Sequence, residues 1–223
     1  MKRKASAEDR PRANAKAAPG RKPTLKREEI VSAALSIIDE QGYQALTMHS
    51  IARHLGTGPA TLYNYFESLA EIEDAIAGRL MAAVRPPQSD GAVRDQLVEM
   101  TVAYHDVVAQ HPQVDLLSGP VAAQTRARLL NSAVRALVQS GVPLEAAGLA
   151  LSVLSGFAYS AAVAARVEKE QQAKGMVVVP KADRDMLDAL KGTAFFGGTR
   201  RANFRRAVET IIDRLMPELS ARS

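Results

Sequence analysis

The chain has 223 residues, is 47% apolar, carries a formal charge of +5 and contains neither cysteine nor tryptophan. This length and apolar share suffice for a sizeable core in one or two domains, and the missing thiols exclude disulfides, cysteine metal ligands and cysteine nucleophiles. No apolar run approaches the ~20 residues of a membrane helix, and the basic N-terminus lacks the apolar segment of a secretory signal, so a cytoplasmic protein without a membrane partner is expected.

Residues 1–24 hold eight Lys or Arg against Glu8 and Asp9, a net +6, so the remaining 199 residues sum to −1. With so little apolar content this arm is expected to be disordered when free. A solvated solubility tail has the same composition. Within it, Pro19-Gly20-Arg21-Lys22-Pro23 resembles the core of an AT-hook, in which an extended Gly-Arg lies along a narrow minor groove. Arg21 and Lys22 are therefore candidate DNA contacts.

Helical periodicity begins after the arm. Ile30, Ala33, Ala34, Ile37 and Ile38 line one face of a helix that ends at Gly42. Thr47 is suited to cap a second helix, whose face is Ile51, Ala52 and Leu55. Gly56 permits the positive φ that stops it, and Pro59 suits the first turn of a third helix, with Leu62 and Phe66 inward. Two short helices around a tight glycine turn have the geometry of a helix-turn-helix. Pro59, Ala60, Thr61, Tyr63, Asn64 and Tyr65 would then be exposed, offering hydroxyls, an amide and small apolar groups to phosphates, base edges and thymine methyls. An ordinary helical hairpin exposing its polar face has the same spacing.

The flanks extend the pattern. The order helix, Gly42-Tyr43, Leu46-Thr47, Ile51-Ala52, Leu55-Gly56, Thr61-Leu62-Tyr63, Tyr65-Phe66 resembles the N-terminal domain of the TetR family of transcriptional regulators, over about residues 27–83. The resemblance implies an all-α protein: a three-helix helix-turn-helix domain joined to a larger helical domain for ligand binding and dimerisation. It also implies that Thr47, Thr61 and Tyr63 contact DNA backbone, and that His49, Pro59, Ala60 and Asn64 face base edges or backbone, with Tyr65, Thr57 and Gly58 beside them. Family members commonly carry a phosphate-binding lysine near the start of the fourth helix, where this chain has Leu69. Residues 25–85 hold five basic and eight acidic side chains, so more of the phosphate attraction is expected from the arm.

A fourth helix is expected from about Ser68 to Val84, with Ile72, Ile76, Leu80 and Ala83 inward. The Pro86-Pro87 break with Asp90 and Gly91 divides the chain into the arm (1–24), the DNA-binding domain with its linking helix (25–85) and a regulatory and dimerisation domain (86–223). Within the last, Val93, Leu97, Met100, Tyr104, Val107 and Val108 form a stripe, as do Leu129, Leu130, Val134, Leu137 and Val138. The stretch 144–167 is rich in small residues, which permit close helix approach in a core or an interface. The final helix carries Phe204, Val208, Ile211, Ile212 and Leu215. The resemblance implies that such late helices form a four-helix dimer bundle, making Gly156 and Ser160 with those five the candidate interface; an intrachain core helix has the same stripe. Between them a loop spans 168–180, a short helix 184–190 and a turn 197–198, somewhat like the tetracycline-repressor branch. The implied small-molecule inducer has Met100, Tyr104, His105, Phe157, Tyr159, Phe195 and Phe196 as candidate contacts, each of which also suits a plain core position.

An enzyme is not expected. His49 and His54 are five apart and His105 and His111 six apart, neither the i, i+4 spacing of a helical metal pair. There is no Gly-rich phosphate loop and no nucleophile elbow, so neither metal nor cofactor is expected. The expected function is a sequence-specific regulator, a homodimer on a palindromic double-stranded operator, acting as a repressor released by a ligand. The competing expectation is a non-specific or architectural DNA binder driven by the arm. In either case, deleting residues 1–24 is expected to lower DNA affinity sharply and to flatten its salt dependence, measured by anisotropy titrations across ionic strength; an unchanged slope would assign the phosphate contacts to the folded region.

Overall fold

The computed structural model describes residues 25–89, 92–175, 188–190, 192–193 and 197–220, which are all helix or connection. Five helices precede the midpoint: α1 (Arg27–Gln41), α2 (Met48–His54), α3 (Pro59–Leu62), α4 (Leu69–Ala82) and α5 (Val93–Gln110). They are followed by α6 (Pro120–Gln139), α7 (Leu144–Ala173), α8 (Arg200–Leu215) and α9 (Pro217–Ser220). The loop expected over 168–180 is overturned in its first part, since residues 168–173 continue α7; its residues 176–180, the break residues Asp90 and Gly91, the arm and most of the short helix expected near 184–190 lie outside the described residues.

Helices α1 to α4 close around Ile30, Ile37, Ile51, Leu62, Phe66, Ile72 and Ile76, all fully buried. Burying aliphatic and aromatic side chains of this size stabilises by roughly 1.5–3 kcal/mol each, and for helices as short as α2 and α3 such packing outweighs intrinsic helicity. The expected inward face of α4 differs at its end: Ala83 is exposed, and Met81 and Val84 are buried instead. The cause is that α4 serves two neighbours, packing on α1 with one side and along α6 with another.

The second half is built on α5, which packs against α7 and α8, while α6 lies against α4 and α7. The α5 stripe is largely internal, with Val107 half-buried; on α6, Leu129 and Leu137 are buried but Val138 is exposed. Helix α6 ends as its glycine predicts. Gly141 has φ +89, its N–H donates to the Val138 carbonyl, and the Val142 N–H reaches back to the Leu137 carbonyl, both at 3.0 Å. This is a Schellman stop with Val142 folded onto the core.

Helix α7 overturns one expectation. Its 30 residues include an 18-residue window of mean hydropathy 1.6, long and apolar enough by composition to cross a membrane. Ala147, Ala150, Leu151, Leu154, Ala158 and Ala162 form the buried side of this helix, so one face serves as a core helix. Alanines dilute the run in a reading that looks for bulky residues.

Where α4 meets α6, the fit depends on two glycines. A Cβ built on Gly78 would come within 2.5 Å of Val121 Cγ1, and one built on Gly119 would collide with the Asp74 carboxylate. Gly58, by contrast, has open space around it. Gly119→Ala is expected to destabilise the protein by roughly 1–3 kcal/mol through overpacking and a displaced cap, and Gly58→Ala by less than about 0.5 kcal/mol, both measured by urea denaturation.

Candidate nucleic-acid interface and effector cavity

The helix-turn-helix is set by local rules that its sequence satisfies. Thr47 Oγ1 accepts from the Ser50 N–H at 3.0 Å, and Ser50 Oγ accepts from the Thr47 N–H at 2.9 Å. This reciprocal box satisfies two otherwise orphaned donors. The same Ser50 hydroxyl donates to the Ala45 carbonyl at 2.7 Å, tying α2 to the turn before it. At the other end Gly56 has φ +64, its N–H donates to Arg53, and the Thr57 N–H donates to Ala52 at 2.9 Å. Pro59 then opens α3.

On this scaffold Thr47, His49, Gly58, Ala60, Tyr63 and Asn64 are exposed, and Thr57, Pro59, Thr61 and Tyr65 are half-buried. Tyr63 is 56% exposed, unusual for so large a ring and free of any packing role that would explain it. The third helix is shorter than its spacing predicts. It ends at Leu62, and residues 63–65 form a turn in which Asn64 donates to Thr61 at 3.3 Å and Tyr65 to Leu62 at 2.9 Å. Thr61, Tyr63, Asn64 and Tyr65 are all weak helix formers. Tyr65 is also committed inward, packed on the core with its carbonyl accepting from Arg27.

The acidic excess of this region has a structural role. Arg27 donates to Glu71 at 2.6 Å and to the Tyr65 carbonyl, and its guanidinium lies 3.8 Å above the Phe66 ring. It therefore clasps the start of α1 to the end of the recognition segment. Glu71 also accepts from the Glu67 N–H at 2.7 Å. The Arg27 hydrogen bond, then the Glu67 N–H, hold its carboxyl below the usual range. Two residues on, Glu73 accepts from the Tyr43 hydroxyl at 2.6 Å; burial and this bond push the phenol up to about 12. Asp74 faces the other way, its two oxygens accepting from the Val121 and Ala122 N–H groups at 3.0 Å each. A side chain of α4 thus supplies the cap that Gly119, at the start of α6, has no side chain to provide.

Beyond that cap a cavity of about 400 Å³ opens between α4, α5, α6 and α7. Met100, Tyr104 and Tyr159, three of the expected ligand contacts, line it. His105 and Phe157 do not. Both stack on Phe204, at centroid distances of 4.2 and 5.2 Å, on the side of α5 and α7 that meets α8. Periodicity marks such rings as buried but does not say against which neighbour. Phe195 and Phe196 lie outside the described residues, as do Arg21 and Lys22. The lining residues that the sequence reading missed are chiefly Met81, Thr101, Leu117, Arg126, Leu129, Leu130, Leu151, Leu154 and Ser155. Arg126 had a visible signal: it stands in register with Ala122, Leu129 and Leu137, a cation inside an apolar stripe.

The candidate dimer residues divide. Phe204, Val208 and Ile212 are buried within the chain, where α8 packs on α5 and α7, so they are core rather than interface. Arg94 with Asp213 (2.7 and 2.8 Å), Arg205 with Glu99 (2.7 Å) and Arg201 with Asp106 (2.9 Å) lace the α5–α8 seam. Ile211 and Leu215 are half-buried, and Gly156 and Ser160 are exposed. Around the latter two, Leu149, Val153 and Val167 are also exposed, and nothing lies within 4 Å of a Cβ built on Gly148 or Gly156. Ala147, Ala150, Ala158 and Ala162 are spent on packing inside the chain, whereas Gly148, Gly156 and Ser160 are not.

Residues 30–76 match the sequence pattern of the bacterial regulatory proteins of the tetR family. An uncharacterized HTH-type transcriptional regulator of Mycobacterium tuberculosis is 33% identical over 112 residues, 48% of this chain and 51% of that protein. The HTH-type transcriptional repressor DrrR1 of Streptomyces coeruleorubidus is 34% identical over 95 residues, 42% of this chain and 35% of the repressor. The chain thus spans about half or less of the length of these curated relatives. Among solved structures, the TetR family protein ActR of Streptomyces coelicolor in complex with (S)-DNPA has a TM-score of 0.62 at 25% identity, over 87% of this chain and 98% of that one.

The Arg27–Glu71 clasp sets a pH signature. Because folding depresses the Glu71 carboxyl, its contribution is present above the unfolded pKa and fades as pH falls through the folded one. Glu71→Gln is expected to melt lower than the parent near pH 7, the gap closing as pH falls below about 4. A gap constant across pH would mean that the clasp acts through shape alone.

Proposed function

We propose that this chain, whose N-terminal region is a TetR-family DNA-binding domain, is a homodimeric, sequence-specific transcriptional regulator. In this reading it is a repressor whose operator binding is relieved by a small molecule in the α4–α7 cavity. It acts in the cytoplasm and catalyses no reaction. The observation that carries the reading is the exposed set Thr47, His49, Ala60, Tyr63 and Asn64, held on a helix-turn-helix whose first helix is capped at both ends.

These groups suit phosphate and base contacts, while the arm (residues 1–24, net +6) supplies counterion release that the acidic folded region lacks. Dimerisation is supported by the exposed Leu149, Val153, Ser160 and Val167 of α7, with Gly156, which also lines the cavity, and by the half-buried Ile211 and Leu215 of α8. A two-fold dimer would set its recognition helices roughly 34–36 Å apart on a palindrome. Effector control is supported by the Asp74 cap. A ligand that moves α6 acts on α4 through this bond, and it can shift the equilibrium only by its differential affinity for the two positions.

The test is anisotropy of the full-length protein on the duplex upstream of its own gene, against a scrambled duplex, at moderate salt. Selective binding is expected, with Tyr63→Ala and Asn64→Ala each weakening it by about 1–3 kcal/mol and leaving thermal stability unchanged. Val153→Asp is expected to yield a monomer by light scattering and to lose the operator. Equal binding to both duplexes, with these variants silent and selection from random duplexes returning no motif, would favour an arm-driven, non-specific binder.

A further inference from the structure

We propose that the molecule accepted by the α4–α7 cavity is an amphipathic organic anion: a carboxylate carried on an apolar, ring-sized or chain-like body. The proposal rests on reading this cavity as the effector site, and adds the chemistry that the site selects.

The walls are apolar almost throughout, with Met81, Met100, Leu129, Leu130, Leu151 and Leu154 supplying most of the surface. A volume of about 400 Å³ suits a body of one to three rings or a medium alkyl chain. The polar groups are few and of one kind. Arg126 is the sole charged residue of the lining, and no carboxylate among the described residues pairs with it. Its Nη1 donates to the Leu116 and Leu117 carbonyls at 3.2 and 3.1 Å, which fixes the guanidinium and leaves Nε and Nη2 without a hydrogen bond among the described residues. Asp115 feels the Arg126 charge without pairing with it, and its carboxylate is taken up by the Leu117 and Ser118 N–H groups at 2.9 and 3.1 Å.

Tyr104 and Tyr159 line the same cavity, and their hydroxyls likewise have no hydrogen-bond partner among the described residues. Thr101 is satisfied within its own helix, donating to the Leu97 carbonyl at 2.8 Å. A fixed guanidinium and two phenol donors in an apolar wall match a carboxylate, which accepts at both oxygens. They do not match an amine, since no acidic side chain lines the cavity to neutralise it. A neutral ligand of the same shape offers the guanidinium no opposite charge and so forgoes the charge-assisted hydrogen bonds.

The experiment is calorimetric titration of the full-length protein with 2-naphthoate, octanoate and larger aryl carboxylates, each beside its primary amide and its amine counterpart. The expected result is binding of at least one carboxylate, about tenfold or more tighter than its amide, with no binding of the amine. Arg126→Gln should abolish the carboxylate preference, and Arg126→Lys should keep part of it. Because Arg126 also braces the loop at 116–117, Tyr104→Phe provides a variant that leaves that brace intact; it should weaken the carboxylate and spare the amide. Amide and carboxylate binding equally, neither being bound, or a preference that survives Arg126→Gln would overturn the proposal. Operator release is read separately. A carboxylate bound through Arg126 that leaves the operator complex intact would uphold this inference and sink the effector reading. Release by a neutral compound, with every carboxylate inert, would do the reverse.

Discussion

The carboxylate of Asp74 fixes how α4 and α6 meet. A helix begins with N–H groups that nothing inside it can satisfy, and α6 starts at Gly119-Pro120 without a side chain to help. The missing acceptors come from α4, at 3.0 Å to both Val121 and Ala122. A cap of this kind stabilises by about 0.5–2 kcal/mol; its greater consequence is geometric. The bare Cα of Gly119 is what lets the carboxylate in, so α4 and α6 are fixed in register, and about one turn beyond the cap α6 carries Arg126 into the cavity wall.

Helix α4 makes three such commitments within four residues. Glu71 clasps Arg27, Glu73 holds the Tyr43 hydroxyl and Asp74 caps α6. The acidic excess of residues 25–85, which on charge alone argues against DNA binding, is thus partly consumed as internal fasteners. It still leaves residues 25–85 with five basic side chains against eight acidic ones. On the proposed function the head discriminates sequence through hydroxyls, an amide and shape, while the arm contributes salt-sensitive affinity.

How much of this could be read from the residues depends on the range of the forces involved. The start and stop of α2, the proline opening of α3, the Gly141 stop of α6 and the inward positions of α1 follow from interactions within a few residues, and those are written locally. The exposure of Ala60, Tyr63 and Asn64 follows with them, whereas Pro59, Thr61 and Tyr65, expected to be exposed, are half-buried. The truncation of α3 was legible only in part, because Leu62 and Phe66 keep helical spacing while the backbone between them turns. The resemblance to a known family supplied what local rules could not: the expectation that the hairpin reads DNA and that a second helical domain follows.

By itself, the sequence determined an all-helical chain, its capped helix-turn-helix, its divided charge and the set of residues to be buried, because periodicity and capping are properties of neighbours along the chain. Only the tertiary structure decided against what each buried residue packs. His105 and Phe157 belong with Phe204 and not with Tyr104; Phe204, Val208 and Ile212 are core, while Gly148, Gly156 and Ser160 of α7 stay uncovered. Asp74 and Gly119 meet across 45 residues of sequence. Hydrophobic burial is non-directional, so a stripe of apolar residues specifies that a face is covered and leaves its partner to the packing of the whole chain.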